Sequence, residues 1–118
     1  MPGGLGRGGR KKLFFLQSCL LVLLHQQPGY GYSLMEGLQE FGFSTTEMDI
    51  SILYRALRDL ENAELVISSW SENSLGPQRR MYTITPLGES TLAGWMAVLP
   101  QRRKAIAHLE AAYDAIPK

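Results

Sequence analysis

Asp49-Ile50-Ser51-Ile52-Leu53-Tyr54-Arg55-Ala56-Leu57-Arg58-Asp59-Leu60-Glu61-Asn62-Ala63 is the stretch that decides the fold. Leu53, Ala56, Leu57 and Leu60 recur at spacings of three and four, the period of a helix with one buried side. Ser51, Tyr54, Arg55, Arg58 and Asn62 project mainly from the opposite side. The first turn of a helix leaves amide groups without partners, and Asp49 offers a carboxylate to accept from them. A helix is therefore expected from about Ile50 to Ala63, capped by Asp49, with two arginines one turn apart on its outer side.

Upstream, Leu13 to about Gln27 reads as a first helix. Leu13, Leu16, Leu20, Leu23 and Leu24 keep helical spacing, while Phe14, Phe15, Leu21 and Val22 fill much of the remaining surface. A helix apolar nearly all round must be covered on more than one side. Pro28-Gly29 ends it. Tyr30-Gly31-Tyr32 reads as a short link or brief strand, and Ser33 opens a second helix with Leu34, Leu38 and Phe41 inward. Gly42 stands where a helix end wants positive φ. The polar turn Ser44-Thr45-Thr46-Glu47 leads into the third helix.

Downstream, Leu65–Trp70 and Arg80–Thr85 read as the strands of an antiparallel hairpin around a loop rich in turn residues. Pro86 suits the first turn of a final helical segment carrying Leu87, Leu92, Trp95, Leu99, Ile106, Leu109, Tyr113 and Ile116. Pro100 interrupts it, so a kink or a break is expected there. The predicted class is mainly α with a small β-hairpin: a winged helix-turn-helix followed by a C-terminal dimerisation helix. Its parts are a flexible basic N-terminal arm over 1–10, a DNA-binding domain over 11–86, and a C-terminal helical segment over 87–118. This architecture sets the outer side of the third helix in a DNA major groove and brings the hairpin to the flanking backbone.

The chain of 118 residues is one domain's worth, 45% apolar and 19% charged, with net charge +1. That sparse charge and the surplus apolar residues of the first and last helices point to surface covered by a second copy. Charge is clustered rather than abundant: Arg7, Arg10, Lys11 and Lys12 have no acid within residues 1–30, and bases return as Arg55, Arg58, Arg79 and Arg80. The single Cys19 closes no intrachain disulfide, and the expected location is the cytoplasm. No Cys/His cluster has metal-ligand spacing, and no cofactor is implied. The run Leu13–Leu24, broken by Gln17 and Ser18, is too short for a membrane span and lacks a small-residue cleavage site. With no nucleophile–base constellation and no phosphate-cradling glycine loop, an enzyme is not expected.

Residues 13–95 resemble the PadR-like transcriptional regulators. The resemblance is carried by Pro28-Gly29-Tyr30-Gly31-Tyr32-Ser33-Leu34, by Ile52-Leu53-Tyr54-Arg55-Ala56-Leu57-Arg58-Asp59-Leu60-Glu61, and by Gly76-Pro77-Gln78-Arg79-Arg80-Met81-Tyr82-Thr83-Ile84-Thr85-Pro86-Leu87-Gly88. Leu16-Gln17-Ser18-Cys19-Leu20-Leu21 and the wing also look like the subgroup labelled polyhydroxybutyrate-responsive repressors. Ala63-Glu64-Leu65 departs from the family, which commonly ends the recognition helix with glycine. The resemblance implies a homodimeric repressor, paired through helix one and the C-terminal helix, that binds an inverted repeat in double-stranded DNA and releases it on a signal.

Arg55 and Arg58 are the candidates for guanine or phosphate contact, the alternative being intrahelical pairs with Asp59, Glu61 or Asn62. Ser51 either meets a phosphate or caps the helix. Tyr54 matches a family position at the DNA backbone, or packs on the wing. Arg79 and Arg80 suit wing contacts, and strand alternation sends them to opposite faces. Tyr32 reaches a phosphate or is half-buried core, and Lys11 and Lys12 can track DNA as part of the arm. Trp95 is the candidate contact for a small-molecule or protein effector of unknown identity, or else interface core. The competing function is a winged helix used as a protein–protein interaction module without specific DNA binding.

Overall fold

The computed structural model describes residues 3–44, 46, 48–71 and 79–117, with side chains from Leu13 onward. Helix α1 (Gly3–Gln26) leads to β1 (Gly29–Tyr30) and α2 (Gly31–Gly37), which tightens into a 3-10 turn at Leu38–Phe41. Then come α3 (Ile50–Asn62), β2 (Val66–Trp70), β3 (Arg80–Ile84), α4 (Pro86–Ala97) and α5 (Leu99–Asp114). The strands form one antiparallel sheet in the order β1-β3-β2, with Val66 opposite Ile84, Trp70 opposite Arg80 and Gly29 opposite Tyr82. The chain is mainly helical with a small antiparallel sheet, as the winged-helix reading requires.

The core is a meeting of leucines from three helices. Leu16, Leu20, Leu21 and Leu24 of α1 pack against Leu34 and Leu38 and against the α3 stripe Leu53, Ala56, Leu57 and Leu60. Val66 and Tyr82 close it from the sheet. Every member of the α3 stripe is at most 1% exposed, so the outer side of this helix is left to solvent by packing, not by chance. Asp49 Oδ1 accepts from the Ser51 amide at 3.0 Å. Hydrogen bonding by Ser51 holds the Asp49 carboxyl below its usual pKa.

Several sequence expectations change in the folded chain. From Gly3 onward the expected flexible arm is helical backbone continuous with α1. The buried leucines already nucleate that helix, and extension needs only propagation. The hairpin gains a third strand, because Gly29 and Tyr30 pair with Tyr82 and Met81. Helix α2 starts at Gly31, ahead of Ser33. Ser33 Oγ instead accepts from the Tyr30 amide at 3.1 Å and donates to the Tyr30 carbonyl at 2.9 Å. The break in the last segment falls at Val98, with Pro100 in the first turn of α5, where a missing N–H costs no helical bond.

Two residues take left-handed backbone. Gly42 closes the 3-10 turn at φ 92°, as its position predicts. Glu64, at the place noted for its missing glycine, sits at φ 64°. No residue of α5 is buried, and Ile106, Leu109 and Tyr113 are more than half exposed. Among the described residues no helix is long and apolar enough to cross a membrane.

Candidate nucleic-acid interface

A groove of about 810 Å³ runs between the start of α2, the outer side of α3 and the hairpin. The first contributes Tyr30, Gly31 and Tyr32; α3 contributes Tyr54, Arg58 and Glu61; the hairpin contributes Trp70, Arg79, Arg80 and Tyr82. Gly31 leaves room for this closeness. A Cβ there would collide with the Tyr54 hydroxyl and lie 2.8 Å from Cζ of that ring. Tyr54 is thus laid across the entry to α2. Tyr82 forms part of the groove floor, and burial there raises its phenol pKa.

The two wing arginines are held by aromatic faces. The Arg79 guanidinium lies 4.9 Å from the Tyr32 ring centroid, and Tyr32 lies nearly parallel to Tyr30 at 6.0 Å and 9°. The Arg80 guanidinium lies 4.6 Å from the Trp70 ring centroid. Cation–π contact of this kind orders a guanidinium without consuming its N–H donors. Arg80 Nη1 also donates to Ser68 Oγ at 3.2 Å, and Ser68 donates to Glu61 Oε2 at 2.8 Å.

Of the residues selected from sequence, Tyr32, Tyr54, Arg58, Arg79 and Arg80 line this groove together. The expectation that Arg79 and Arg80 part to opposite faces is corrected. Arg79 still pairs beside β3, its carbonyl accepting from the Ser71 amide at 2.7 Å, and its long side chain reaches the groove by lying over the Tyr32 ring. Ser51 and Arg55 are exposed on α3 but are not among the groove-lining residues. The Ser51 amide is already bonded to Asp49. Among the described residues His25 Nδ1 and Glu89 Oε1 share a hydrogen bond of 2.6 Å, and no salt bridge ties Arg55 or Arg58 to Asp59 or Glu61. The side chains of Lys11 and Lys12, and the turn Gly76-Pro77, lie outside the described residues. Trp95 is half-buried on α4, its ring 5.2 Å from Phe14 at 57°, away from the groove lining.

Sequence reasoning overlooked Trp70 and Glu61 as parts of this site, and gave His25 no partner. The Trp70–Arg80 pairing depends on hairpin register, which a nine-residue connection leaves open. Among the described residues no cluster of His, Cys, Asp and Glu could hold a metal ion.

Residues 20–94 match the family model described as the transcriptional regulator PadR-like family. A PadR-like transcription factor from Bacteroides fragilis superposes with a TM-score of 0.75, at 27% identity, covering 88% of this chain and 98% of that one. A PadR-like transcriptional regulator from Bacillus cereus gives 0.67 at 28% identity, covering 80% and 89%. Bacillus subtilis PadR, solved in complex with operator DNA, shares the fold with a TM-score of 0.59 and 23% identity, over 69% of this chain and 46% of that one. An uncharacterized protein of Lysinibacillus sphaericus is 27% identical over 78 residues, 66% of this chain and 72% of its own length.

Proposed function

The chain belongs to the PadR-like family of transcriptional regulators, a family of regulators and not of enzymes, and from that premise we propose that it is a cytoplasmic repressor binding an inverted-repeat operator as a homodimer. The observation that carries this is the gathering of Arg58, Arg79 and Arg80 with Tyr32 and Tyr54 in one groove beside the exposed Arg55. Arg55 and Arg58 enter the major groove on α3, where a guanidinium meets guanine O6 and N7 or a phosphate in bidentate fashion. Arg79 and Arg80 take the flanking backbone from the wing, and the hydroxyls of Tyr32, Tyr54 and Ser51 donate to phosphates. Lys11 and Lys12, in the N-terminal half of α1, add sequence-independent attraction.

The second copy pairs through α1 and α5. The exposed Ile106, Leu109 and Tyr113 support this, because a helix with no buried residue gains little by staying folded alone. Twofold pairing sets the two α3 helices on half-sites about one DNA turn, roughly 34 Å, apart. Trp95 is where we place an effector. Its emission shifts on titration with a ligand that releases DNA, and the shift vanishes in Trp95→Phe.

The test is binding to the duplex upstream of the protein's own gene at several salt concentrations, beside random duplex. A preference of about 10³-fold or more supports the repressor, and Arg55→Ala/Arg58→Ala abolishes it. Equal weak binding to both duplexes defeats it and favours the protein-interaction module.

A further inference from the structure

Arg80 is an exposed side chain whose charged end is nevertheless anchored. Its partner across the β2–β3 register is Trp70, itself 56% exposed and so adding little to the core. The indole touches the guanidinium through its face. Ser68 Oγ takes one N–H from Nη1. Because the Ser68 proton is directed to Glu61 Oε2, its oxygen lone pairs stay available to accept from Arg80. Glu61 thereby steadies the arginine at one remove, without occupying its donors. A guanidinium has five N–H donors. Stacking uses none and Ser68 uses one, which leaves an edge able to take a phosphate in bidentate fashion.

Resting on the DNA-binding function above, we propose that Trp70 is a positioning residue that, with Ser68, holds Arg80 in the groove for one phosphate of the DNA backbone. A mobile arginine must be ordered when DNA binds; this one is ordered beforehand. The arrangement serves affinity and not base choice, since a phosphate carries no sequence information.

The experiment measures the dissociation constant and its salt dependence on the duplex upstream of the protein's own gene. The proteins are wild type, Trp70→Ala, Trp70→Phe, Arg80→Ala, Trp70→Ala/Arg80→Ala, and Arg55→Ala/Arg58→Ala. Trp70→Ala and Arg80→Ala are each expected to weaken binding about tenfold. Each should lower the slope of log K against log salt by about 0.9, the share of one phosphate that is no longer neutralised. The double variant should be no weaker than either single one, and Trp70→Phe, which keeps an aromatic face, should stay within about twofold of wild type. Additive losses, or Trp70→Ala binding like wild type, overturn the proposal. So does equal loss in Trp70→Phe and Trp70→Ala, which would make the indole itself a DNA contact. If wild type shows no salt-dependent preference and Arg55→Ala/Arg58→Ala matches it, the DNA-binding function falls, and this proposal with it. If those controls behave and Trp70→Ala is silent, the positioning role alone is refuted.

Discussion

Gly88→Ala should destabilise the protein, although alanine is the better helix former. Gly88 sits buried in the first turn of α4, where its amide donates to Thr85 Oγ1 at 2.9 Å. Thr85 in turn donates its hydroxyl to the Glu64 carbonyl at 2.7 Å and its amide to the Leu65 carbonyl at 3.0 Å. An added Cβ would overlap the Leu65 carbonyl oxygen and stand 2.7 Å from Ile84 Cγ1 and 3.1 Å from the Leu65 carbonyl carbon. The oxygen belongs to backbone leading directly into the fully buried Val66, so it cannot swing aside as a side-chain tip would. Overpacking costs about 1–3 kcal/mol, a broken amide bond about 1, and a loosened N-cap about 1. Against these stands about 1 kcal/mol of helix propensity. The net is a loss of about 3 kcal/mol. At about 2.1 cal/mol/K per residue the chain has an unfolding entropy of about 0.25 kcal/mol/K, so Tm should fall by about 12 °C.

The assay is thermal unfolding by circular dichroism at one fixed protein concentration, because the proposed pairing of copies would make Tm depend on concentration. Gly94→Ala in the same helix is the internal control. A Cβ there meets nothing within 4 Å, so Tm should rise by about 2–4 °C. A Gly88→Ala protein that melts at or above wild type would refute the close packing of α4 on the α3–β2 link.

Glu64→Gly should raise stability by about 1 kcal/mol in urea unfolding, since Glu64 holds φ 64° and a left-handed non-glycine residue is strained by about that much; an unchanged or lower midpoint counts against the strain. Gly31→Ala should push Tyr54 aside, weakening DNA binding in anisotropy titrations by more than its small drop in Tm explains. Cys19 is 5% exposed, and burial pushes its thiol up to about 11 from 9.0, so native protein at pH 8 should react with a thiol reagent only as it unfolds. The folded state keeps this proton after the unfolded state releases it. Stability should therefore be level below about pH 9 and fall between 9 and 11, more gently in Cys19→Ala, with the buried Tyr82 phenol adding a decline of the same sign.

Local chemistry made much of this protein legible in one dimension. The period of Leu53, Ala56, Leu57 and Leu60, the cap at Asp49 and the turn glycine Gly42 each act within a few residues, and the structure places all of them as read. The departure at Ala63-Glu64-Leu65 came from the family resemblance, and only the structure shows that Glu64 takes the left-handed backbone. Strand β1 was only a possibility, because two residues carry no period. His25 and Glu89 are 64 positions apart, and neither shows the other in its neighbourhood.

The candidate site divides along the same line. Arg58 and Tyr54 stand out from sequence because helix geometry sorts inner from outer positions, whereas Tyr32 was a choice between a phosphate contact and half-buried core. That Arg79 joins them depends on the Tyr32 ring its guanidinium rests on, and that Trp70 meets Arg80 depends on hairpin register. Sequence by itself determined the core helices, the two hairpin strands, their order and the solvent-facing side of α3, since backbone hydrogen bonding and side-chain periodicity operate over one or two turns. Tertiary structure alone decided which aromatic face each arginine rests on. Those contacts join α2 to the wing and one strand to its neighbour, and only packing around the shared leucine core brings such distant positions within a few ångströms.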